Sequence, residues 1–533
     1  MIEQNIKSAV GPDTPAAGTK PCLVQTSQGF TVSYKEKFLY SKYSPQKSIL
    51  QLIQNTNPIS QTIFLCISPV LSYGLKELSE KLPEDCILLG CEFDKELFDF
   101  EQQHISDYDD IKNFSFLSPD ELVNLGPILT NRNVSLKSGF TLPSPGTFRR
   151  IIRIDFSAGN QFHLPLYEQL VENATSAIMT FWANRVTLVK FGRKYCSNFF
   201  QNLKVCDKTI PIQKYFNSVE KQIIVFGAGE SAADGIKMIL SHKDGQSAFY
   251  ILCADTVLQP LIASGIEPDG VFIEEVQNVI SKCFIGTQNS NTHVFAGLSS
   301  IHAITRFFKP EQISFFTTEF VQADFIDRFD KMGILPPKNK PFGSVGITTY
   351  YYATLFRKDD SVPVNTYGLD FAYSAGRTHT KGAMADNARF LTSSRLKPDA
   401  NFGAAFNEPA FKKNEKMYTT PIMARYAQIM RHCEEHSDVA IHEKESIDTD
   451  GLPRFARNDI IQKERESLLE LKSLFTGKTK LPENQLEEKL TQQIKQREYL
   501  YLHFPDGHKF TYTQSFLNRV RVEVDYYLKV LNQ

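Results

Sequence analysis

Short apolar runs alternate with amphipathic segments along the chain, most regularly between residues 221 and 375. Apolar runs rich in β-branched and aromatic residues predict buried strands, and the segments between them repeat apolar residues at helical spacing. Strands that alternate with helices indicate an α/β fold built on a parallel, doubly wound sheet. The strands predicted here are QIIVFG (222–227), AFYILCAD (248–255), GVFIEE (270–275), HVFAGLS (293–299), ISFFTTE (313–319) and VNTYGLDF (364–371).

Four helices are predicted between these strands. In a sheet of this kind all strands end at one edge, and ligands bind beyond those carboxyl ends. Polar residues that directly follow a strand are therefore the first candidates for chemistry. The predicted helices are GESAADGIKMILS (229–241), TVLQPLIASG (256–265), SIHAITRFF (300–308) and GSVGITTYYYATLFR (343–357).

The region before residue 147 repeats the alternation on a smaller scale, with TIFLCISPV (62–70) and CILLGCEFD (86–94) as strands around a helix. Apolar residues at helical spacing over 163–195 predict a connecting helix or pair of helices. The predicted organisation is a loose start (1–20), an N-terminal Rossmann-like domain (21–146), a helical connector (147–210), a central α/β domain (211–420), an inserted loop (431–459) and a helical C-terminal domain (460–533).

Residues 431–459, RHCEEHSDVAIHEKESIDTDGLPRFARND, interrupt helical patterns on both sides. The peptide is charged and resembles the in-frame translation of a dispersed bacterial repeat element. We therefore expect an inserted surface loop with no chemical role. His432, Cys433 and His436 are residue types that bind metals, but we expect no metal site here.

Charge and cysteine content narrow the class of protein. The 533-residue chain has 59 Lys and Arg against 60 Asp and Glu, so no overall field favours a nucleic acid or an anionic membrane as partner. The nine Cys are scattered without a Cys-x-x-Cys pair, as is typical of reduced thiols. We see neither a signal peptide nor an apolar run of the ~18 residues that a membrane span needs. We therefore expect a cytoplasmic protein.

The sequence VFGAGESAADG (225–235) places two glycines between a predicted strand and helix. Gly227 and Gly229 would let backbone N–H groups approach a phosphate at the helix amino terminus. The spacing matches the loose dinucleotide-binding fingerprint Gly-x-Gly-x-x-Ala. Asp255 follows the next strand, where an acid that binds the ribose is expected. The segment is therefore compatible with NAD binding. Glu230 would repel a pyrophosphate. A tight turn without a ligand is the alternative.

Acidic and hydroxyl residues border the next two predicted strands. Asp255 and Thr256 follow one strand, Asp269 precedes the next, and Glu274 and Glu275 end it. Carboxylates at strand ends can bind ribose hydroxyls, ligate Mg²⁺ or take protons. Helix capping and solvation are the alternatives.

Gly343 and Ser344 open the helix before the last predicted strand. The hydroxyls of Ser344 and Thr348, with backbone N–H groups at this helix start, can bind an anion. Simple capping of the helix by Ser344 is the alternative.

The loop GLDFAYSAGRTHTKG (368–382) follows the last predicted strand. Asp370 ends the strand, and Tyr373, Thr378 and His379 lie beyond it. Histidine is suited to proton transfer near neutral pH. In the alternative, Asp370 accepts backbone N–H groups and His379 is solvated.

Several of these segments together resemble the motility-associated factor (Maf) glycosyltransferases, which share a domain with archaeal-type 6-hydroxymethylpterin diphosphokinases. The resemblance covers about residues 25–430. It implies a sialyltransferase-like central domain that moves a nonulosonic acid, such as pseudaminic or legionaminic acid, from a CMP-sugar to Ser or Thr hydroxyls of flagellin or another surface-structure protein. The segments are GAGES, ADTVLQPLIASGIEPDGVFIEE, GSVG, GLDFAYSAGRTHTKG, FLYSKYSPQKSI, LSYGLKEL and LLGCEFDKELFDF.

The resemblance also implies roles for single residues. Asp370 and His379 would flank the reacting centre, with His379 as the base that takes the acceptor proton. The CMP-sugar is a co-substrate, and neither a cofactor nor a metal is implied. The candidate nucleotide- and donor-binding residues are Gly227, Gly229, Ser231, Asp255, Thr256, Asp269, Glu274, Gly343, Ser344, Tyr373 and Thr378.

Two departures from the family pattern keep other functions open. The chain has Glu230-Ser231-Ala232 where the family has Pro-Ser-Leu, and Glu274-Glu275 where it has a strand-end Asp. One alternative is a pterin diphosphokinase-like enzyme that uses ATP and Mg²⁺, with the acids at the strand ends as metal ligands. The other is an inactive relative that binds a sugar or flagellin.

Overall fold

The computed structural model describes residues 20–104, 111–130, 134–287, 290–319, 324–396, 410–435, 455–477 and 481–532. The chain divides into two compact units, Met1–Thr187 and Leu188–Gln533. Of the predicted loose start, residues 1–19 lie outside the described residues. Across the described ranges, every helix is too short or too polar to cross a lipid bilayer.

Two sheets and six helices begin in the described part of the first unit. Its strands are β1 (Cys22–Thr26), β2 (Gly29–Tyr34), β3 (Lys37–Phe38), β4 (Thr62–Ile67), β5 (Ile87–Cys91), β6 (Phe114–Phe116) and β7 (Arg150–Asp155). Its helices are α1 (Lys47–Asn55), α2 (Leu75–Lys81), α3 (Lys95–His104), α4 (Pro119–Val123), α5 (Leu125–Thr130) and α6 (Leu164–Val205), which runs on past the unit boundary.

The core of this unit lies on both faces of a parallel sheet with the order β6-β5-β4-β7. Side chains alternate between the faces, so Ile63, Leu65 and Ile67 of β4 join one apolar cluster and Phe64 and Cys66 join the other. Burial on both faces explains why β4 is an unbroken apolar run. β1, β2 and β3 form a separate antiparallel sheet.

The second unit is built on seven parallel strands, with a small antiparallel sheet and nine helices that begin in its described part. Its strands are β8 (Gln222–Phe226), β9 (Phe249–Ala254), β10 (Gly270–Ile273), β11 (His293–Gly297), β12 (Ile313–Thr318), β13 (Lys338–Asn339), β14 (Val364–Tyr367), β15 (Tyr373–Ser374), β16 (Phe411–Lys412) and β17 (Met417–Thr419). Its helices are α7 (Ala232–Ser241), α8 (Leu258–Ala263), α9 (Asp324–Lys331), α10 (Val345–Phe356), α11 (Met384–Thr392), α12 (Pro421–Glu435), α13 (Phe455–Phe475), α14 (Glu483–Lys495) and α15 (Gln514–Asn532).

The large sheet has the order β13-β12-β11-β10-β9-β8-β14, which confirms the predicted doubly wound α/β fold. The chain winds outward from β8 to β13, and β14 then pairs with the other side of β8. α7 packs on one face of the sheet and α10 on the other. The order therefore reverses between β8 and β14, and ligands of such folds bind at the carboxyl edge of that point.

Two local predictions differ from the structure. The segment SIHAITRFF forms a five-residue 3-10 helix, His302–Arg306, in place of the predicted α-helix. The two-residue strand β13, which pairs with β12 at the edge of the sheet, was not predicted because it contains no apolar run.

The segment 431–459, predicted as a loop, is helical at both described ends. Residues 431–435 complete α12 and residues 455–459 begin α13, while 436–454, including His436, lie outside the described residues. Arg457 belongs to the fold, because its guanidinium donates to the Ile334 carbonyl at 2.7 Å and to Asp207 at 2.6 Å.

Candidate functional site

The turn between β8 and α7 meets the end of β14 at the reversal point. The N–H of Gly227 donates to the Tyr367 carbonyl and that of Gly229 to the Gly368 carbonyl, both at 2.8 Å. A Cβ on Gly227 would come within 2.5 Å of the Leu369 side chain and closer still to the Gly368 carbonyl. Both glycines are therefore required by the close approach of two backbones.

These contacts overturn the predicted phosphate-binding role of the two glycines. A backbone N–H has one proton to donate, and the carbonyls after β14 accept both of them. Gly227 and Gly229 form a tight turn that leaves neither N–H for a phosphate.

A carboxylate occupies the amino terminus of α7. The Ser231 N–H donates to Oδ2 of Asp370 at 3.0 Å, and the Ser231 hydroxyl donates to Oδ1. The same hydroxyl accepts from the Gly368 N–H at 2.7 Å. Because this is where a dinucleotide would place its pyrophosphate, a second anion there would meet the charge of Asp370. The arrangement disfavours NAD-type binding and makes Asp370 a residue that positions the loop.

The loop after β14 folds back over the same turn. Glu230, whose charge argued against a pyrophosphate, accepts from the Ser374 N–H at 2.9 Å and from its hydroxyl. The Thr380 N–H donates to the Ala228 carbonyl at 2.8 Å. These bonds hold His379, the neighbour of Thr380, at the carboxyl edge of the sheet.

His379 is half-buried and neutral near pH 7. Its Nδ1 lies 3.0 Å from the hydroxyl of Thr378, and Nε2 has no hydrogen-bond partner among the described residues. Burial lowers the pKa of His379 from its ordinary value, and the carboxylate of Asp386 partly opposes this shift. In the tautomer whose Nδ1 donates to the Thr378 hydroxyl, Nε2 carries no hydrogen and can accept a proton.

Asp255 provides a second titratable group after β9. It is 2% exposed, and its Oδ1 accepts from the Thr256 hydroxyl at 2.8 Å. Its Oδ2 has no partner within the described part of the chain. Burial raises its pKa to about 7, and the nearby carboxylates of Glu275 and Glu274 add to the shift.

Glu274 is held from two sides at the end of β10. Its oxygens accept from the hydroxyl of Thr318 at 2.5 Å and from that of Thr348 at 2.6 Å. Burial raises its pKa, and these two bonds oppose the shift. Both oxygens are thus engaged in tying β10 to β12 and α10.

The start of α10 keeps two of the predicted residues at this edge. Ser344 is the N-cap residue, but its side chain makes no capping hydrogen bond, so the simple capping alternative fails. Gly343 has φ +79°, and a Cβ there would lie 2.6 Å from the ring of Tyr426.

Two other predicted residues are placed differently: Asp269 lies away from this edge, and Tyr373 is buried. Asp269 precedes β10, so it lies at the amino edge of the sheet, where its Oδ2 accepts from the Ile251 N–H at 2.7 Å. Its predicted place in the donor site is therefore wrong. Tyr373 is buried in β15, with its ring stacked on Tyr418 of β17 at 6.4 Å between centroids.

The sequence did not single out Thr318, Asp386 or Lys413. Lys413 donates to the Asp370 carbonyl at 3.0 Å from 43 residues away, a separation that no local pattern reveals. Asp386 follows His379 by seven positions and accepts from the Gly382 N–H at 3.1 Å. Within the described ranges, no three His, Cys, Asp or Glu side chains are grouped to hold a metal ion.

Comparison with known proteins adds a domain match and a shared fold. Residues 197–376 match the family model described as 6-hydroxymethylpterin diphosphokinase MptE-like. An uncharacterized protein of Treponema pallidum (strain Nichols) is 28% identical over 96% of this chain and 95% of its own length. The structure of the Maf glycosyltransferase from Magnetospirillum magneticum AMB-1 matches 96% of this chain and 91% of that chain, with a TM-score of 0.51 and 13% identity. At that identity the match establishes a common fold.

Proposed function

We propose that the carboxyl edge between β8 and β14, in the region that matches the MptE-like family model, is a glycosyltransferase site. It would transfer a nonulosonic acid from a CMP-sugar to a Ser or Thr hydroxyl of a protein such as flagellin. The observation that carries the proposal is His379, which is neutral, lies on the loop held at the carboxyl edge of the sheet, and has no partner for Nε2 among the described residues. The fold shared with a Maf glycosyltransferase supports it.

In the proposed step, Nε2 of His379 takes the proton of the acceptor hydroxyl. The acceptor oxygen forms a bond to the anomeric carbon of the sugar, and the bond from that carbon to the CMP phosphate oxygen breaks. CMP leaves with the electron pair, so the step needs cations near the phosphate but little acid help. Arg377 and Lys381, exposed on the same loop, supply them.

In the proposed reaction Asp370 is a positioning residue. Its carboxylate is engaged by Ser231, so it fixes the loop and leaves the proton transfer to His379. Asp255 and Ser344 are the remaining candidates for contacts to the nucleotide.

A diphosphokinase that uses ATP and Mg²⁺ is the second candidate, favoured by the family description and by Oδ2 of Asp255, which has no partner in the described part of the chain. The acids suggested as its metal ligands fit poorly. Both oxygens of Glu274 are held by threonines, and Asp269 lies at the other edge of the sheet.

A thermal-shift panel with CMP, CMP-sialic acid, ATP with Mg²⁺ and NAD tests which ligand binds. A ligand at about 100 times its Kd stabilises by about 2.7 kcal/mol, so binding will be visible. We expect stabilisation by the CMP compounds. Stabilisation by ATP with Mg²⁺ alone would replace the transferase by the kinase, and no shift with any compound would favour the inactive binding relative.

Transfer from a CMP-sugar to an acceptor protein then tests His379 directly. We expect His379→Ala to bind CMP like the parent protein but to transfer at least ~100-fold more slowly, as is usual for loss of a general base. His242→Ala, which removes a histidine at the other end of α7, should keep the parental rate. An unchanged rate in His379→Ala would exclude the proposed base.

A further inference from the structure

A cleft lies within the first unit. It has a volume of about 420 Å³ and is open to solvent on one side. Its wall includes Asp155, Phe156 and Ser157, the residues at the end of β7. In the sheet order β6-β5-β4-β7 the winding direction reverses between β4 and β7, so the cleft lies at the edge where parallel sheets bind ligands. The volume is in the range of small-molecule sites.

One carboxylate and several hydroxyls provide the polar groups of this cleft. Asp155 accepts from Nε and Nη2 of Arg153 at 2.7 and 3.2 Å, and its side chain remains 40% exposed. A carboxylate has about four acceptor positions, so two remain for a ligand. Ser41 and Ser48 add hydroxyls that can donate to a ligand, and the hydroxyl of Ser157, whose proton goes to Ser68, can still accept.

The hydroxyl of Ser157 is held by a buried hydrogen-bond chain behind the wall. It donates to the Ser68 hydroxyl at 3.2 Å, which in turn donates to Glu92 at 2.6 Å. Ser68 has φ +49°, an uncommon value for a residue with a side chain, and Gly159 leaves room for its hydroxyl. Strain of this kind is found where a structure fixes a functional group.

Apolar surface lies beside these polar groups. Phe38 is half-buried, and Leu52 of α1 is 45% exposed within the cleft. Among the described residues that line the cleft, Asp155 is the charged one and neither Lys nor Arg takes part. The guanidinium of Arg153 is paired with Asp155, so a phosphate or carboxylate ligand would have to displace that carboxylate to reach the cation.

We propose that this cleft binds a neutral carbohydrate of one or two pyranose rings. Vicinal sugar hydroxyls donate to the free positions of Asp155 and exchange hydrogen bonds with the serines, while the apolar face of a ring packs on Phe38 and Leu52. This site is independent of the CMP-sugar site proposed above, because its residues belong to the other unit.

Ligand-detected saturation-transfer NMR on the full chain tests the proposal, with methyl α-glucoside, methyl β-galactoside, N-acetylglucosamine and lactose as probes and inorganic phosphate as the anionic comparison. We expect at least one sugar to bind and phosphate to leave this binding unaffected. Asp155→Asn should weaken it roughly tenfold, because it removes charge-assisted hydrogen bonds. Ser48→Trp should abolish it by filling the cleft.

Glu80 is an exposed carboxylate of α2 that lies outside the cleft. Glu80→Gln is therefore the matched control and should bind the sugar like the parent protein. His379→Ala should also keep sugar binding, which separates this proposal from the transferase. Binding that survives both Asp155→Asn and Ser48→Trp, or no saturation transfer from any of the four sugars, would overturn the proposal.

Discussion

Asp370 places its carboxylate at the amino terminus of α7, where two glycines and a following helix predict a phosphate. The partners of Gly227 and Gly229 are the carbonyls after β14, so these glycines serve the packing of two loops. His379 and Asp255 keep an unpartnered nitrogen and oxygen among the described residues, and the proposed chemistry of the edge rests on them.

The first prediction concerns Gly227. Gly227→Ala should lower the free energy of unfolding by about 1–3 kcal/mol, since its methyl group would overlap the Gly368 carbonyl and the Leu369 side chain. Gly297→Ala in β11 is the matched control, because its Cβ would meet atoms no nearer than 3.6 Å. Denaturant unfolding of both variants measures the difference, and equal stabilities would show that the two loops separate readily.

The second prediction is the pH dependence of transfer. The pKa of His379 is lowered, so the imidazole is neutral and active as a base above pH ~6.5 and becomes charged only in more acidic solution. The transfer rate should therefore be level from neutral pH upward and fall on the acid side. His379→Ala should remove the acid limb; a limb that persists in this variant would belong to another group.

At the scale of elements, a buried ionic cluster within the second unit joins the C-terminal helices to α9. Glu464 of α13 is 3% exposed and accepts from Nη1 and Nη2 of Arg328 in α9 at 3.0 and 2.9 Å. The Tyr499 hydroxyl donates to it at 2.6 Å, and Arg497 lies 3.2 Å away. These contacts hold the pKa of Glu464 below its ordinary value despite burial.

The third prediction follows from this cluster. Arg328→Ala should destabilise the second unit by about 3 kcal/mol, because breaking a buried pair leaves a carboxylate with incomplete compensation. Lys237→Ala removes a cation from an exposed pair, 79% and 73% exposed at 3.8 Å, and should have almost no effect. Thermal unfolding of the two variants measures the contrast, and similar melting temperatures would mean that Glu464 finds another partner.

At the scale of the whole molecule, each unit buries a carboxyl group with a raised pKa. Burial raises the pKa of Glu92 in the first unit and of Asp255 in the second to about 7. At pH values between the ordinary pKa of these carboxyl groups and about 7, the folded chain therefore binds more protons than the unfolded chain. Their contribution to stability is therefore complete at low pH and is lost as pH rises through 7.

The fourth prediction tests this coupling. Glu92→Gln should raise stability at pH 8 by up to about 3 kcal/mol and have little effect at pH 5, because the amide replaces a carboxyl group that is neutral in the fold only at the lower pH. Its carbonyl oxygen can still accept from Tyr167 and the Asp94 N–H. Melting temperatures at the two pH values measure the change in stability, with Glu80→Gln as an exposed control. A change that is the same at both pH values would contradict the prediction.

Much of this architecture was predictable because its signals are local. The apolar runs of β8 to β12 and β14 were predicted as strands, and the alternation with helices predicted the parallel sheet. The helical ends of the segment 431–459 were not predicted, because its charged composition masks the helical pattern on both sides. Asp269 was misplaced because it was grouped with the acids of the resembling segment, although its position before β10 puts it at the amino edge of a parallel sheet.

By itself, the sequence determined which segments are strands and helices and that polar residues collect at the carboxyl edge, because side-chain periodicity is a property of neighbouring residues. Only the tertiary structure decided that β14 lies beside β8, which brings Asp370 to Ser231 from 139 residues away. Strand order depends on contacts between residues that are far apart in the sequence. It determines which N–H groups already donate a hydrogen bond and which side-chain atoms remain available to a ligand. The sugar-sized cleft beside β7 arises in the same way, from segments that meet only in the folded chain.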